Sequence, residues 1–462
     1  MVQRRAAPIL LAQQPSQVVH KDTASTPASI SERHAPMSTP QRDTSRHSTP
    51  DVAIVGAGAA GLAAARRLQK AGYTVQILEA AGRIGGRAWT DTSAFGVPVD
   101  MGCSWMSGAN KNSLVKHARA LGYQLINHTE APSQLFVEGR PATDAEEEAF
   151  EAARAALDDT LKTAGRKGFD GPAADVLPKD LPFSGTAQSW LGPMDYGVDF
   201  KDLSPIDHWD QADDQPSYLV KEGYGSVVAS LGTGLPVALN TTVKRIDWSG
   251  SDVQIDTDQG TLRARACLVT VSTGVLASGA ITFVPEMPIR QQEALHGVPM
   301  GLLVKVPMLF DGAKLGLKDN AWVTYKVPED MPARACFFIG WPCGHDYLFG
   351  NIGGDLGWEL SRAGADETVD FALGELVGMV GSDARKHFRK GLMTDWATNP
   401  LTLGAYAVER PGHKGARKAL GKSLGKKVFF AGEAVAGERA ALANGAYDNG
   451  RKLAKKIIKT LG

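Results

Sequence analysis

Cysteine is scarce. Four residues, Cys103, Cys267, Cys336 and Cys343, are spread over 462 with no CxxC spacing. That pattern excludes a zinc ribbon and a secreted disulfide framework, and it suits a reducing, cytoplasmic setting. Net charge is also missing. Lys plus Arg and Asp plus Glu both number 50, so nothing favours nucleic acid or an anionic membrane surface as a partner. No run of about 18 apolar residues occurs, which leaves no candidate membrane span. Internal repeats are absent, and neither a metal-ligand cluster nor a serine triad shows persuasive spacing.

What is abundant is glycine, 51 residues, as expected where backbone approaches a large ligand closely. Residues 1–50 are rich in Ser, Thr, Pro, Gln and His and read as a disordered extension. Arg4-Arg5 before "AAPILLA" faintly suggests an export or transit signal, with a dispensable tail or an alternative start at Met37 preferred. The basic end "RKLAKKIIKTLG" reads as a surface helix.

The stretch "DVAIVGAGAAGLAAARRLQKAGYTVQILEA" carries the first chemistry. A strand over Asp51–Val55, a helix over Gly61–Ala71 and a strand over Thr74–Glu79 form a compact mononucleotide-binding unit. Gly56, Gly58 and Gly61 make G-x-G-x-x-G between strand and helix. The first permits the tight turn, the second lets backbone approach a pyrophosphate, and the third allows close helix–strand packing. Glu79 ends the second strand at the spacing of a ribose-binding acid, which argues against NADP. "RIGGR", Arg83 to Arg87, follows at once, with two glycines and two arginines suited to wrapping a pyrophosphate and a ring edge.

Further on, helical spacing marks residues 145–165, and a β-meander starts near Leu235 and leads into a buried strand over Ala266–Val271. "GLLVKVPMLF" and "ARACFFIGW" read as strands, 355–388 as helical, "KKVFFAGEA" as a strand, and a final helix begins near Gly445. Dinucleotide-type texture at both ends implies one ligand domain built from separate segments. In "DHWDQADDQP", Asp207, Asp210, Asp213 and Asp214 read as a solvated acidic loop rather than a polycation site.

These motifs carry a resemblance. "EAAGRIGGRAWT" is similar to the glycine-doublet signature of the flavin-containing amine oxidase family, which includes monoamine and polyamine oxidases. "VDMGCSWMSG", "VKEGYGSVV", "TTVKRID", "LVTVSTGVLASGAITFVPEMP", "WATNPLTLGAYAVERPG" and "VFFAGEAVAGERAALANGAYDNG" follow in the family's order. The resemblance covers the chain from Asp51 to the end. It implies an α/β fold: a Rossmann-type FAD-binding domain from residues 51–107, 216–288 and 392–462, and an α+β substrate domain from 108–215 and 289–391.

It also implies FAD held by Gly56, Gly58, Gly61, Glu79, Arg87, Val243 and Glu433, with Glu433 reaching the ribitol. Ala59, Ala60, Ala80, Arg83, Gly86, Gly102, Ser104, Trp105, Gly432 and Leu442 join that list. Trp396 is expected near the ring, and Tyr406 as one wall of an aromatic cage whose other wall falls at Leu442. Lys305 is the sharpest single residue, a lone charge in an apolar strand, where burial is costly. An edge-strand lysine reaching water is the lesser alternative. The family reading places it beside flavin N5, holding a water for oxygen reduction.

Ala405, before Tyr406, stands where monoamine oxidases carry the flavin-bonded cysteine, so the implied FAD is non-covalent. The missing second tyrosine tilts the branch toward polyamine oxidases or toward an unassigned bacterial-type amine oxidase. Against this, Ser107 replaces the His of many of them, and "ALANGA" the commoner "TVHGA". The implied reaction is oxidation of an amine C–N bond to an imine, with O2 reduced to hydrogen peroxide. The implied partners are a small-molecule amine and O2, with a homodimer also open. Competing readings are an L-amino-acid oxidase or desaturase of the same fold, a flavin-bound chromatin or scaffold protein, and a nicotinamide-dependent reductase.

Overall fold

The structure, a computed structural model, describes residues 49–211, 215–329 and 334–462. The extension read over residues 1–50 lies almost wholly outside the described residues, as do Asp213 and Asp214.

Short, β-branched segments dominate the first sheet. Val52–Val55 is buried at every position and pairs in parallel with Val75–Leu78 on one side and Ala266–Val269 on the other. Val428–Phe430 and Val237–Ala238 complete the sheet at its two edges, both parallel. The five strands come from distant parts of the chain. A parallel sheet must be covered on both faces, and alternation along the first strand shows how. Val52 and Ile54 enter a core with the helix Ala59–Lys70 and the C-terminal helix Ala443–Leu461. Ala53 and Val55 enter a second core shared with the four-stranded sheet that includes Val243–Asp247 and Val253–Thr257. The C-terminal helix is therefore no loose surface end, since Leu453, Ala454 and Ile457 are buried in that packing.

A seven-stranded mixed sheet forms the other half. Its order is Phe388–Gly391, Leu303–Phe310, Tyr347–Gly353, Phe337–Ile339, Trp322–Tyr325, Ser133–Val137 and Arg140–Pro141. One face, with Val304, Val306, Phe338 and Ile352, packs under the helices Gly354–Ala363 and Ala365–Val380. The opposite face carries Leu303 and Phe337 and meets the long helix Asp144–Arg166. A capping box starts that helix: Thr143 accepts from the Glu146 N–H while Glu146 accepts from the Thr143 N–H. The expected helical run over 355–388 is three helices, broken after Ala363 and Val380 by glycines at φ +116° and +88°. Among the described residues no helix is long and apolar enough to cross a membrane. Nor do three or more metal-ligating side chains gather there.

Candidate active site

Between the two halves lies one continuous cavity of about 1430 Å³. It is lined by every residue singled out above as a cofactor or catalytic candidate except Gly61. Gly61 sits beneath the surface for the reason its position predicts: a Cβ there would come within 2.1 Å of the Gly56 carbonyl oxygen. Gly58 faces the cavity, where a Cβ would meet only the Gly85 carbonyl, at 3.9 Å.

The helix Ala59–Lys70 starts at Gly58 with no side-chain cap and no acid in its first turn. Its N-terminal N–H groups and partial positive charge therefore suit a phosphate. The "RIGGR" turn closes over this loop through the Gly85 N–H donating to Ala57 O at 2.9 Å. Glu79 is fixed before any ligand arrives, its carboxylate accepting from the Ala57 N–H at 2.7 Å and the Ala81 N–H at 2.8 Å. Both oxygens keep a lone pair for a ribose hydroxyl. Thr242 and Val243 line the same region of wall.

Further along the wall the arginines are engaged with protein. Arg83 Nη1 donates to Gly86 O at 2.8 Å, and its guanidinium lies 4.5 Å from the Trp89 ring centre. Arg87 Nη1 donates to Ala405 O at 2.9 Å and pairs with Glu433 at 2.8 Å. Glu433 also accepts from the Ala407 and Ala441 N–H groups. This carboxylate thus ties the "RIGGR" turn to the segment carrying Ala405 and Tyr406.

Lys305 is not an edge lysine. Its strand runs between two others, and Asn351 is its cross-strand partner. The ammonium is 3% exposed and donates to Asp100 O at 2.8 Å, Gly102 O at 2.6 Å and Ser104 Oγ at 2.6 Å. Burial pushes it down to about 8, against the opposing pull of Asp100 and Cys103. The Cys103 thiol beside it is pushed up to about 12 by burial, so it stays protonated and unreactive. Trp396 Nε1 donates to Met101 O at 3.1 Å, and Tyr406 OH to Met194 O at 3.2 Å. Burial raises the Tyr406 phenol, which stays neutral.

The rest of the wall has no local sequence signal. Trp105 stacks on Trp322 at 5.3 Å, and Trp190 meets Trp322 edge-on at 5.3 Å. The Trp105 indole donates to His128 Nδ1 at 3.2 Å, and burial takes His128 down to about 4, so it is neutral at pH 7. With Leu191 and Leu303 these residues make an apolar, aromatic chamber next to Lys305. Beyond it one stripe of the long helix reaches the cavity: Glu151, Arg154, Asp158 and Lys162. These acids are paired, Glu151 with Arg154 and Asp158 with both Lys162 and His208.

One expectation is corrected. Asp207 is not part of a solvated acidic loop. It is buried in the helix Pro205–Asp210, and its carboxylate accepts from Arg417 Nε at 3.0 Å, Arg417 Nη2 at 2.9 Å and the Glu409 N–H at 2.9 Å. Asp210 is exposed. The Asp207–Arg417 pair anchors the strand that presents Tyr406, because Arg417 Nη2 also donates to Ala407 O at 3.0 Å.

A glycine loop at an uncapped helix N-terminus, a carboxylate held beside it and a buried lysine next to an aromatic chamber share one cavity, the arrangement expected of a flavin-dependent oxidoreductase. The chain belongs to the flavin-containing amine oxidoreductase family, whose profile matches residues 59–189 and 201–458. It is similar to polyamine oxidase 4 of Oryza sativa subsp. japonica, 29% identical over 451 residues, covering 90% of each chain. It is likewise 30% identical over 432 residues to probable polyamine oxidase 4 of Arabidopsis thaliana, covering 86% of this chain and 85% of that one. Lysine-specific histone demethylase 1 homolog 1 of Oryza sativa subsp. japonica is 30% identical over 449 residues, 89% of this chain but 52% of the demethylase. Among solved structures, a putrescine oxidase double mutant aligns with TM-score 0.74 at 20% identity, covering 89% of this chain and 99% of the other. Cyclohexylamine oxidase from Brevibacterium oxydans IH-35A aligns with TM-score 0.73 at 23% identity, covering 90% and 100%. These two share the fold.

Proposed function

We propose that this chain is an FAD-dependent amine oxidase that converts an amine to an imine, with O2 as electron acceptor and hydrogen peroxide as product. The observation that carries the reading is the continuity of one cavity from Glu79 and Val243, past the Gly56–Ala60 cradle, to Lys305 and the aromatic chamber. A wall for an adenosine beyond the phosphate cradle favours the dinucleotide FAD over a mononucleotide flavin. Ala405 removes the thiol expected of a covalent link, and the Cys103 thiol, which borders the cavity, stays protonated. FAD is therefore held non-covalently.

Flavin, once bound, supplies two-electron oxidation of the amine and delivery of those electrons to oxygen. The chain supplies the surroundings. Gly56, Gly58, Ala59 and Ala60 hold phosphate at the helix N-terminus, and Glu79 takes a ribose hydroxyl pair. Trp105, Trp190, Trp322, Leu191 and Leu303 exclude water and penalise a charged ammonium, so the chamber selects the neutral amine. Lys305 keeps a positive charge at the chamber wall below pH about 8, which steadies negative charge developing on reduced oxygen. The imine leaves for hydrolysis to a carbonyl compound and an amine or ammonia.

Polyamine oxidase relatives and the absence of a second cage tyrosine at Leu442 support an amine of the polyamine or small primary and secondary class. Neutral net charge supports a small molecule over chromatin as partner. A peroxide-coupled screen of primary amines, polyamines, cyclic amines and amino acids tests the reading. Amine-dependent peroxide is the expected result, and peroxide from amino acids alone would replace the reading with an amino-acid oxidase.

A further inference from the structure

Lys305 is enclosed, and its three hydrogen-bond partners are not alike. Two, Asp100 O and Gly102 O, are main-chain carbonyls, which accept a hydrogen bond and cannot pass a proton on. The third is the Ser104 hydroxyl at 2.6 Å, which can accept from an ammonium or turn and donate to an amine. Ser104 is 3% exposed and borders the cavity. The other groups around the lysine offer no alternative. The Asp100 carboxylate is committed to the Tyr224 N–H at 2.8 Å, the Gly225 N–H at 3.1 Å and Thr90 Oγ1 at 2.6 Å. The Cys103 thiol stays protonated. The Trp105 and Phe349 rings lie 5.9 and 4.6 Å from the ammonium and carry no exchangeable proton toward it.

We propose that Ser104 is the proton gate of Lys305, a positioning residue through whose hydroxyl the lysine exchanges its proton with the cavity. The inference rests on the reading of Lys305 as part of the reaction chamber, and it assigns the route by which that residue changes charge. In the outward direction, Ser104 Oγ takes a proton from the Lys305 ammonium while its own O–H proton passes to a water in the cavity. A neutral amine, an intact serine and a hydronium ion result, so atoms and charge balance. The serine O–H then turns to the lone pair on Nζ, and both carbonyls keep their donors. The lysine is satisfied in either charge state only because this one partner can reverse.

The test compares Ser104→Ala and Ser104→Thr with wild type in the flavin-loaded protein. Lysine labelled with 13C at Cε reports the Lys305 titration by NMR without turnover, the signal being assigned by its loss in Lys305→Met. Ser104→Ala removes an acceptor from the ammonium, and charge-assisted hydrogen bonds are stronger than neutral ones, so the midpoint falls by about one pH unit. Reoxidation of the reduced enzyme by O2 slows about tenfold or more, and added imidazole restores it by carrying the proton. Ser104→Thr, which keeps the hydroxyl, behaves as wild type in both measurements. An unchanged midpoint and rate in Ser104→Ala would overturn the proposal. So would a slow Ser104→Thr together with no response to imidazole, which would make Ser104 structural only. Failure of any amine to reduce the flavin would overturn the reading of the site instead, and the NMR titration would still report on the gate.

Discussion

Replacing Lys305 by methionine removes the charge and keeps most of the side-chain volume, and its effect on stability depends on pH in a way that can be worked out. Burial lowers the group from 10.5 to about 8 in the folded protein. Each unit corresponds to about 1.4 kcal/mol, so confining this ammonium costs the fold about 3 kcal/mol wherever both states are protonated. The cost is fully present below pH 8. Between pH 8 and 10.5 the unfolded chain binds a proton that the folded protein has released, so this group's contribution to stability rises with pH there. Above 10.5 both states are neutral and the cost has gone. Burial raises Cys103, Cys267 and Cys343 to about 12, which lowers stability over an overlapping range, but to a similar extent in both proteins. The quantity to measure is therefore the difference between wild type and Lys305→Met, from urea unfolding followed by tryptophan fluorescence at pH 7 to 10.5. That difference should move in favour of wild type by about 3 kcal/mol across the window. A difference flat to within about 1 kcal/mol would show that the lysine is not confined as described, and the charge argument for its role would fail with it.

Other predictions rest on different parts of the site. Acid precipitation of the yellow protein should release all the flavin as free FAD; flavin retained on the pellet would refute the argument from Ala405. Gly58→Ala and Gly61→Ala separate binding from folding. The first adds a methyl at the phosphate site with no close protein neighbour, and should weaken FAD binding tenfold or more with little loss of apoprotein stability. The second drives a methyl into the Gly56 carbonyl and should prevent a soluble fold; equal behaviour of the two variants in thermal melts and flavin titration would contradict the assignment. Asp207→Ala leaves the buried Arg417 guanidinium on the Ala407 and Ala434 carbonyls, with the Glu409 carboxylate at 3.9 Å, and should cost about 3–5 kcal/mol in urea unfolding. A loss under about 1 kcal/mol would mean the pair is not desolvated.

The phosphate cradle was legible in the sequence because its parts are local. Turn, helix start and the carboxylate of Glu79 fall within about thirty residues, and the turn and helix start obey backbone requirements that leave few residue types. The clasp between Arg87 and Glu433 joins segments far apart in the chain. Both residues were visible through their motifs, whereas the contact between them was not. The aromatic chamber was hidden. Trp190, Trp322 and His128 sit on a helix, a strand and a loop, and no periodicity tells which sheet face turns to the cavity. The charged stripe Glu151, Arg154, Asp158, Lys162 has helical spacing, but an exposed helix face would carry the same pattern. Asp207 misled because an acid among acids reads as solvated, while its partner Arg417 stands in a different part of the chain. Lys305 was conspicuous as a charge in an apolar strand, yet only the sheet order separates a buried lysine from one at an edge.

The central claim is that amines deliver electrons to a flavin held in this cavity. Anaerobic mixing of the purified protein with a panel of amines, followed in the visible flavin spectrum, tests it most directly. At least one amine should bleach the oxidised flavin bands within a catalytically competent time, and admitting O2 should restore them with one hydrogen peroxide per flavin. Flavin that no amine on the panel reduces, although dithionite does, would contradict the account.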